Sequence, residues 1–258
     1  MNMGLDKLFS LEGRKGFITG GARGIGRCLA EGFARAGADV ALVDLDIETA
    51  TQTAKEISEQ SGRKILAYQC DVTNPESVEK MMTQYLKDYQ EINFAVNNAG
   101  ICINEKAEEA KAEHFRKVMD INTNGVFFTA QAAGRAMIRQ NSGGAIVNTA
   151  SMSGHIVNIP QPQAAYNASK AAVRLLTQSL AVEWAGYGIR VNSVSPGYIM
   201  TEMTARSTNM HPVWTSHIPM KRIGQPEELI GAYQYLVSDA SSYATGTDII
   251  VDGGYIAQ

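Results

Sequence analysis

Arg14-Lys15-Gly16-Phe17-Ile18-Thr19-Gly20-Gly21-Ala22-Arg23-Gly24-Ile25-Gly26 runs from a short strand pattern straight into a glycine-rich turn. A helical pattern on Ile25, Leu29 and Phe33 follows and closes at Gly37, and Val40-Ala41-Leu42-Val43-Asp44 reads as a second strand. Strand, glycine turn, helix and strand in this order form a βαβ unit suited to a dinucleotide. Glycines let backbone approach a pyrophosphate, and the helix N-terminus offers free N–H groups at the positive end of its dipole. Asp44 ends the second strand about 18 residues beyond Gly26. A carboxylate there accepts hydrogen bonds from adenosine ribose hydroxyls and repels a 2′-phosphate, which predicts NAD rather than NADP. Arg23, in the turn itself, is the group that can contact a phosphate instead. Asp46 suits the cap of the next helix.

Working outward, the alternation continues. A helix is expected at about 47–60, a strand from Ile65 to Cys70 with Asp71-Val72 at its end, a helix at about 75–89, and a strand from Ile92 leading into Asn97-Asn98-Ala99-Gly100. The helical stretch from about 112 to 140 contains Asn122-Thr123-Asn124-Gly125. Asn and Gly weaken a helix interior, so a bend or a functional amide is expected there. Ala145 to Thr149, Ile189 to Val194 and Asp248 to Val251 are three more strands. Helices are expected to about 187 and at about 226–238. Residues 198–224 show no period and are rich in Met, Thr and Trp, the mark of a functional loop. Strands alternating with helices, without repeats or a linker, predict one doubly wound α/β domain over residues 1–258, a Rossmann fold with a parallel sheet and helices on both faces.

The chemistry concentrates between Asn148 and Lys170. Tyr166 and Lys170 stand four apart where a helical pattern begins, so they share one face a turn apart. A fixed ammonium beside a phenol favours phenolate and draws the tyrosine pKa toward working pH, which makes the pair a proton-transfer device. Ser151 and Ser153 follow the end of the strand before it. His155, Asn158, Gln161 and Gln163 in the same loop can hydrogen-bond a chain of hydroxyls, whereas Pro160 and Pro162 also suit a plain turn.

Composition narrows the classes. The chain has 258 residues, 45% hydrophobic and 19% charged, with a formal net charge of −3, which argues against nucleic acid or an anionic membrane as partner. No apolar run reaches the roughly 18 residues of a membrane span. The first residues lack the apolar core of a signal peptide, and Gly4 is misplaced for myristoylation. Cys28, Cys70 and Cys102 are widely spaced and are expected to be reduced core thiols of a cytoplasmic protein. His114, His155, His211 and His217 have no metal-ligand spacing, so no metal is expected.

Thr19 to Gly26, Asn97-Asn98-Ala99-Gly100, a serine, Tyr166-x-x-x-Lys170 and Pro196-Gly197 together resemble the short-chain dehydrogenase/reductase family from about Leu11 to Gly254. The resemblance implies a seven-stranded parallel sheet in the order 3-2-1-4-5-6-7 and a homotetramer assembled through long helices. It implies catalytic roles for Asn122, Ser151, Tyr166 and Lys170: Tyr166 as acid/base, Lys170 beside it, Ser151 on the substrate oxygen, and Asn122 on a relay water. Cofactor contacts are implied at Gly20, Ala22, Arg23, Gly24, Ile25, Gly26, Asp44, Asp71, Val72, Asn98, Ala99, Gly100, Tyr166, Lys170, Pro196, Gly197, Ile199 and Thr201. The strand frame selects Ser151, whereas a spacing two residues shorter, commoner in the family, selects Ser153. The loop from Ser151 to Gln163, with Ala181-Val182-Glu183-Trp184-Ala185 and Pro196 to Thr204, resembles polyol dehydrogenases and ketose reductases. It implies substrate contacts at Ser151, Ser153, His155, Asn158, Gln161 and Tyr166, under a lid at 198–224. Met200, Met203, Met210 and Trp214 suit a lid over a polyol and equally a pocket for an apolar ketone. A hydroxysteroid dehydrogenase, a 3-oxoacyl reductase, a non-catalytic dinucleotide sensor and an oligomeric scaffold are the competing readings.

Overall fold

Seven strands share one parallel sheet, and the position of the glycine turn at its centre follows from their order. The computed structural model describes residues 4–205 and 207–258. A short helix α1 (Leu5–Phe9) precedes β1 (Lys15–Thr19), α2 (Gly24–Arg35), β2 (Asp39–Asp44), α3 (Ile47–Ser61), β3 (Ile65–Gln69), α4 (Pro75–Tyr89) and β4 (Phe94–Asn97). There follow α5 (Ala112–Met119), α6 (Gly125–Gln140), β5 (Gly144–Thr149), α7 (Ala164–Trp184) and β6 (Ile189–Pro196). The chain ends with α8 (Glu202–Ala205), α9 (His211–His217), α10 (Ile230–Val237) and β7 (Asp248–Val251). The sheet order is β3-β2-β1-β4-β5-β6-β7, as the family resemblance implies.

The central strands are apolar on both faces because helices cover both. Ile18, Val40, Leu42, Val96 and Val147 point to one side, where Leu29 and Phe33 of α2 and Tyr233 and Leu236 of α10 close the core. Phe17, Ala41, Val43, Ala95 and Ile146 point to the other, against Met81, Tyr85 and Tyr89 of α4 and Leu180 of α7. Alternate residues of one strand thus feed two cores, which fixes the register. Phe33 meets Phe94 edge-on at 5.4 Å, and Tyr85 stacks on Tyr89 at 4.7 Å.

Two stretches differ from the pattern read in the sequence. The expected 112–140 helix is broken into α5 and α6 by a π-helical turn, Asp120–Asn124, where Asn122 turns its amide inward instead of continuing the ladder. The aperiodic 198–224 stretch contains α8 and α9, and its ends are pinned together: Met200 N donates to Gly224 O at 2.8 Å and Gly224 N to Tyr198 O at 2.9 Å. Among the described residues, no helix is long and apolar enough to cross a membrane.

Candidate active site

The β1–β4 boundary is where the sheet order reverses, and a cleft of about 950 Å³ opens there at the carboxyl ends of the strands, the usual ligand position in such sheets. Gly20 and Gly24 take left-handed φ angles of +63° and +57°, which only glycine adopts readily. A Cβ on Gly20 would stand 3.0 Å from Ala99 Cα. Helix α2 opens on Arg23 without a side-chain cap, so its first N–H groups face the cleft. This cradle fits the pyrophosphate of a dinucleotide.

Around the cradle the cleft is lined by Asp44, Asp71 and Val72 at one end and Asn98, Ala99 and Gly100 along the floor. Pro196, Gly197, Ile199 and Thr201 form the far wall. Asp44 is anchored by accepting from Ala22 N at 3.0 Å and Asp46 N at 3.1 Å. Asp46 caps α3 through Thr49 N and pairs with Arg23, whose second contact is Glu202 at 3.8 Å.

Tyr166 and Lys170 project from α7 into the other end, where Ser151, Ser153, Asn158, Gln161 and Gln163 also line the cleft. Ser151 lowers the Tyr166 pKa from beside the phenol and accepts from Ser153 N at 3.1 Å. Ser153 Oγ is instead engaged by Gln163 Nε2 at 3.2 Å. Lys170 Nζ donates to Thr149 O at 2.7 Å and lies 5.7 Å from the Tyr166 ring centroid. The titration differs from the reading of a cation pulling the phenol down. Burial, and then the Cys102 thiol, push Tyr166 up to about 12, against the pull of the Ser151 hydroxyl. Burial lowers Lys170 to about 8. Desolvation by burial outweighs the pairing.

Four expected contacts are not in the cleft. Ala22 spends its N–H on Asp44 and is 1% exposed. Gly26 packs against Gly20, whose carbonyl oxygen a Cβ would meet at 2.1 Å, so it serves helix–turn packing. Asn122 is fully buried behind Gly100, bonded to Ile101 O at 2.9 Å, Ile101 N at 2.8 Å and Ser169 Oγ at 3.0 Å. His155 turns to the opposite side, with Nε2 2.6 Å from Asp248 Oδ2, because the short helical turn Met152–Gly154 reverses the chain after Ser153.

Two cleft residues escaped the sequence reading. Cys102 was expected in the core, yet it lines the cleft beside Asn104. Its place two residues beyond Gly100 was the available signal. Tyr198 is a hub: it stacks on Trp214 at 4.3 Å and receives Asn158 Nδ2 at 3.3 Å. Gln161, oriented to satisfy both amide ends, accepts from Tyr198 Oη at 2.7 Å and Trp214 Nε1 at 3.3 Å while donating to Ile159 O at 3.2 Å. The reverse orientation would donate to Tyr198 but face acceptor to acceptor and donor to donor elsewhere. Met200 and Met210 pack against this aromatic group, and the Met203 side chain lies outside the described residues. No cluster of His, Cys, Asp or Glu among the described residues suits a metal ion.

A family model described as enoyl-(acyl carrier protein) reductase matches residues 20–256. A short-chain type dehydrogenase/reductase from Mycobacterium marinum is 48% identical, with a TM-score of 0.96 over 98% of this chain and 99% of that one. The chain belongs to the short-chain dehydrogenase/reductase family. Members bind a nicotinamide dinucleotide, and this chain is an oxidoreductase of alcohols and carbonyls. It is similar to the sorbose reductase of Candida albicans, 45% identical over 96% of this chain and 89% of the relative. It is also similar to a Yarrowia lipolytica protein named probable NADP-dependent mannitol dehydrogenase, 47% identical over 96% and 89%.

If Lys170 serves the proton at Tyr166, Lys170→Met should cut turnover by about two orders of magnitude or more while the variant still melts cooperatively. Turnover within a few-fold of wild type would remove Lys170 from that role. Because the folded ammonium titrates near 8 rather than at the ordinary 10.5, the unfolded chain holds more protons above pH 8. Wild type should therefore gain stability relative to Lys170→Met as pH rises from 8 to 9, read as the difference in Tm.

Proposed function

We propose that the protein is an NAD-dependent oxidoreductase interconverting a sugar alcohol and its ketose. The observation that carries this reading is the amide-rich wall facing Tyr166. Gln163 Nε2 has two hydrogens but stands within reach of three acceptors: Ser153 Oγ at 3.2 Å, Asn158 Oδ1 at 3.0 Å and Asn167 Oδ1 at 2.8 Å. One acceptor is therefore left without a hydrogen from Gln163, and Ser153 and Asn158, which line the cleft, can accept from a substrate hydroxyl. A polyol supplies such hydroxyls along its length, and a steroid or acyl chain does not. The names of the sorbose and mannitol relatives agree with this substrate class.

The NAD reading rests on Asp44 at the cleft and on Arg23 being paired with Asp46 rather than held out for a 2′-phosphate. Gly20, Gly24, Asp44, Asn98 and Gly100 would hold the dinucleotide, with Ile199 and Thr201 across from them. When bound, it supplies the hydride acceptor or donor. In the oxidising direction the Tyr166 phenolate takes the carbinol proton on Oη, Ser151 Oγ holds the same substrate oxygen, and the Lys170 ammonium stabilises the phenolate before the transfer; in the reducing direction the neutral phenol gives the proton back. The 198–224 segment, joined to the amide wall through Tyr198 and Trp214, serves as the lid. We also infer a homotetramer: Phe115 on α5 and Leu175 and Val182 on α7 are 45%, 65% and 82% exposed, an apolar face suited to a second copy.

A panel of C4–C6 polyols and bile acids with NAD and, separately, NADP should show NAD reduced by a polyol, with kcat/KM for NAD at least about tenfold above that for NADP. Asp44→Ala should narrow that preference. Preference for NADP would overturn the Asp44 assignment, and reduction with bile acids alone would overturn the polyol pocket. Light scattering should give four times the chain mass; a monomer would overturn the assembly.

A further inference from the structure

His155, left unused by the cleft, belongs to a charged cluster on the far side of the catalytic turn. Asp248, at the start of β7, accepts from His155 Nε2 at 2.6 Å, Arg174 Nε at 3.2 Å, Ser193 Oγ at 2.7 Å and Ser195 Oγ at 2.8 Å. Arg174 also donates from Nη1 to Gly154 O at 2.8 Å. On α7, Arg174 stands one turn beyond Lys170, which is itself one turn beyond Tyr166. The carboxylate and the guanidinium thus grip both ends of the Gly154–His155 peptide from the frame that carries Tyr166. Gly154 leaves no slack against that frame, since a Cβ there would stand 2.8 Å from the Lys170 carbonyl carbon and oxygen.

We propose that Asp248, acting through His155 and Arg174, is a positioning residue that sets Ser151 against Tyr166. Ser151 caps the turn that the cluster holds: Gly154 N donates to Ser151 O at 2.9 Å and His155 N to Met152 O at 2.9 Å. The cluster itself touches neither the glycine cradle nor the adenosine end, so it acts on the reacting oxygen and not on dinucleotide binding. With Asp248→Asn the two serines keep an acceptor of the same shape, but the charge that holds Arg174 and His155 is gone and the turn is released. Even small displacements at a reacting group cost rate steeply.

The proposal rests on proton transfer at Tyr166 but not on which alcohol reacts, so one arm of the test is independent of substrate. Hydrogen exchange followed by mass spectrometry in Asp248→Asn and His155→Ala should speed at residues 153–156 by about tenfold or more and stay level in α7. With a substrate that wild type turns over, kcat should fall about tenfold or more in both variants, with the NADH Kd within twofold of wild type. His155→Gln, whose amide N–H replaces Nε2–H, should restore both readouts. Wild-type exchange at 153–156 in the two folded variants would overturn the proposal, as would unchanged kcat or a loss of NADH affinity equal to the loss of kcat. A wild-type protein inert toward polyols would count against the substrate reading alone and leave the exchange result to decide this one.

Discussion

The arrangement depends on one buried contact: the Lys170 ammonium, 3% exposed, donating to the carbonyl of Thr149 at 2.7 Å. It ties the first turns of α7, which carry Tyr166, to the end of β5, and so to the sheet whose carboxyl ends hold the glycine cradle. A cation so deprived of water is costly, and burial moves both members of the pair away from their ordinary titration, the phenol upward and the ammonium downward. The site is built at the expense of local stability. A ligand that fills the cleft meets two titratable groups already buried, where a proton shift on Tyr166 Oη would be strongly felt by neighbouring dipoles.

That contact works because the sheet brings separate parts of the chain to one edge. β1 delivers Gly20 and Gly24, β4 delivers Asn98 and Gly100, β5 delivers Ser151, and β6 delivers Pro196 and Gly197, all at their carboxyl ends. The parallel sheet makes this a geometric necessity rather than a coincidence of loops. Beyond the sheet, the aromatic stack of Tyr198 and Trp214 links the amide wall to the 198–224 segment. The amide wall and the 198–224 segment are therefore joined through Tyr198 and Trp214.

The fold was largely legible because its signals are local. The glycine turn between two strand patterns, the apolar strands and the four-residue spacing of Tyr166 and Lys170 each need only neighbouring residues to be read. The choice of Ser151 also came from a local frame, the end of β5, and both Ser151 and Ser153 line the cleft beside Tyr166. What escaped was set by distant partners. Nothing near His155 in the chain announces Asp248, 93 residues away, and the only local sign of the place of Cys102 was its distance of two residues from Gly100. The π-helical turn at Asn122 was legible as a break in the helix, but not as the buried amide that closes three bonds. The short helices α8 and α9 carry too few residues to display a period.

The most direct measurement is turnover and NADH affinity of Tyr166→Phe, side by side with wild type. The phenol oxygen is the atom through which the account routes the proton, and the ring alone suffices to shape the cleft. The account predicts an NADH Kd within about twofold of wild type and turnover reduced by about 10² or more. Turnover close to wild type, with the cofactor bound normally, would contradict it and place the proton on another group.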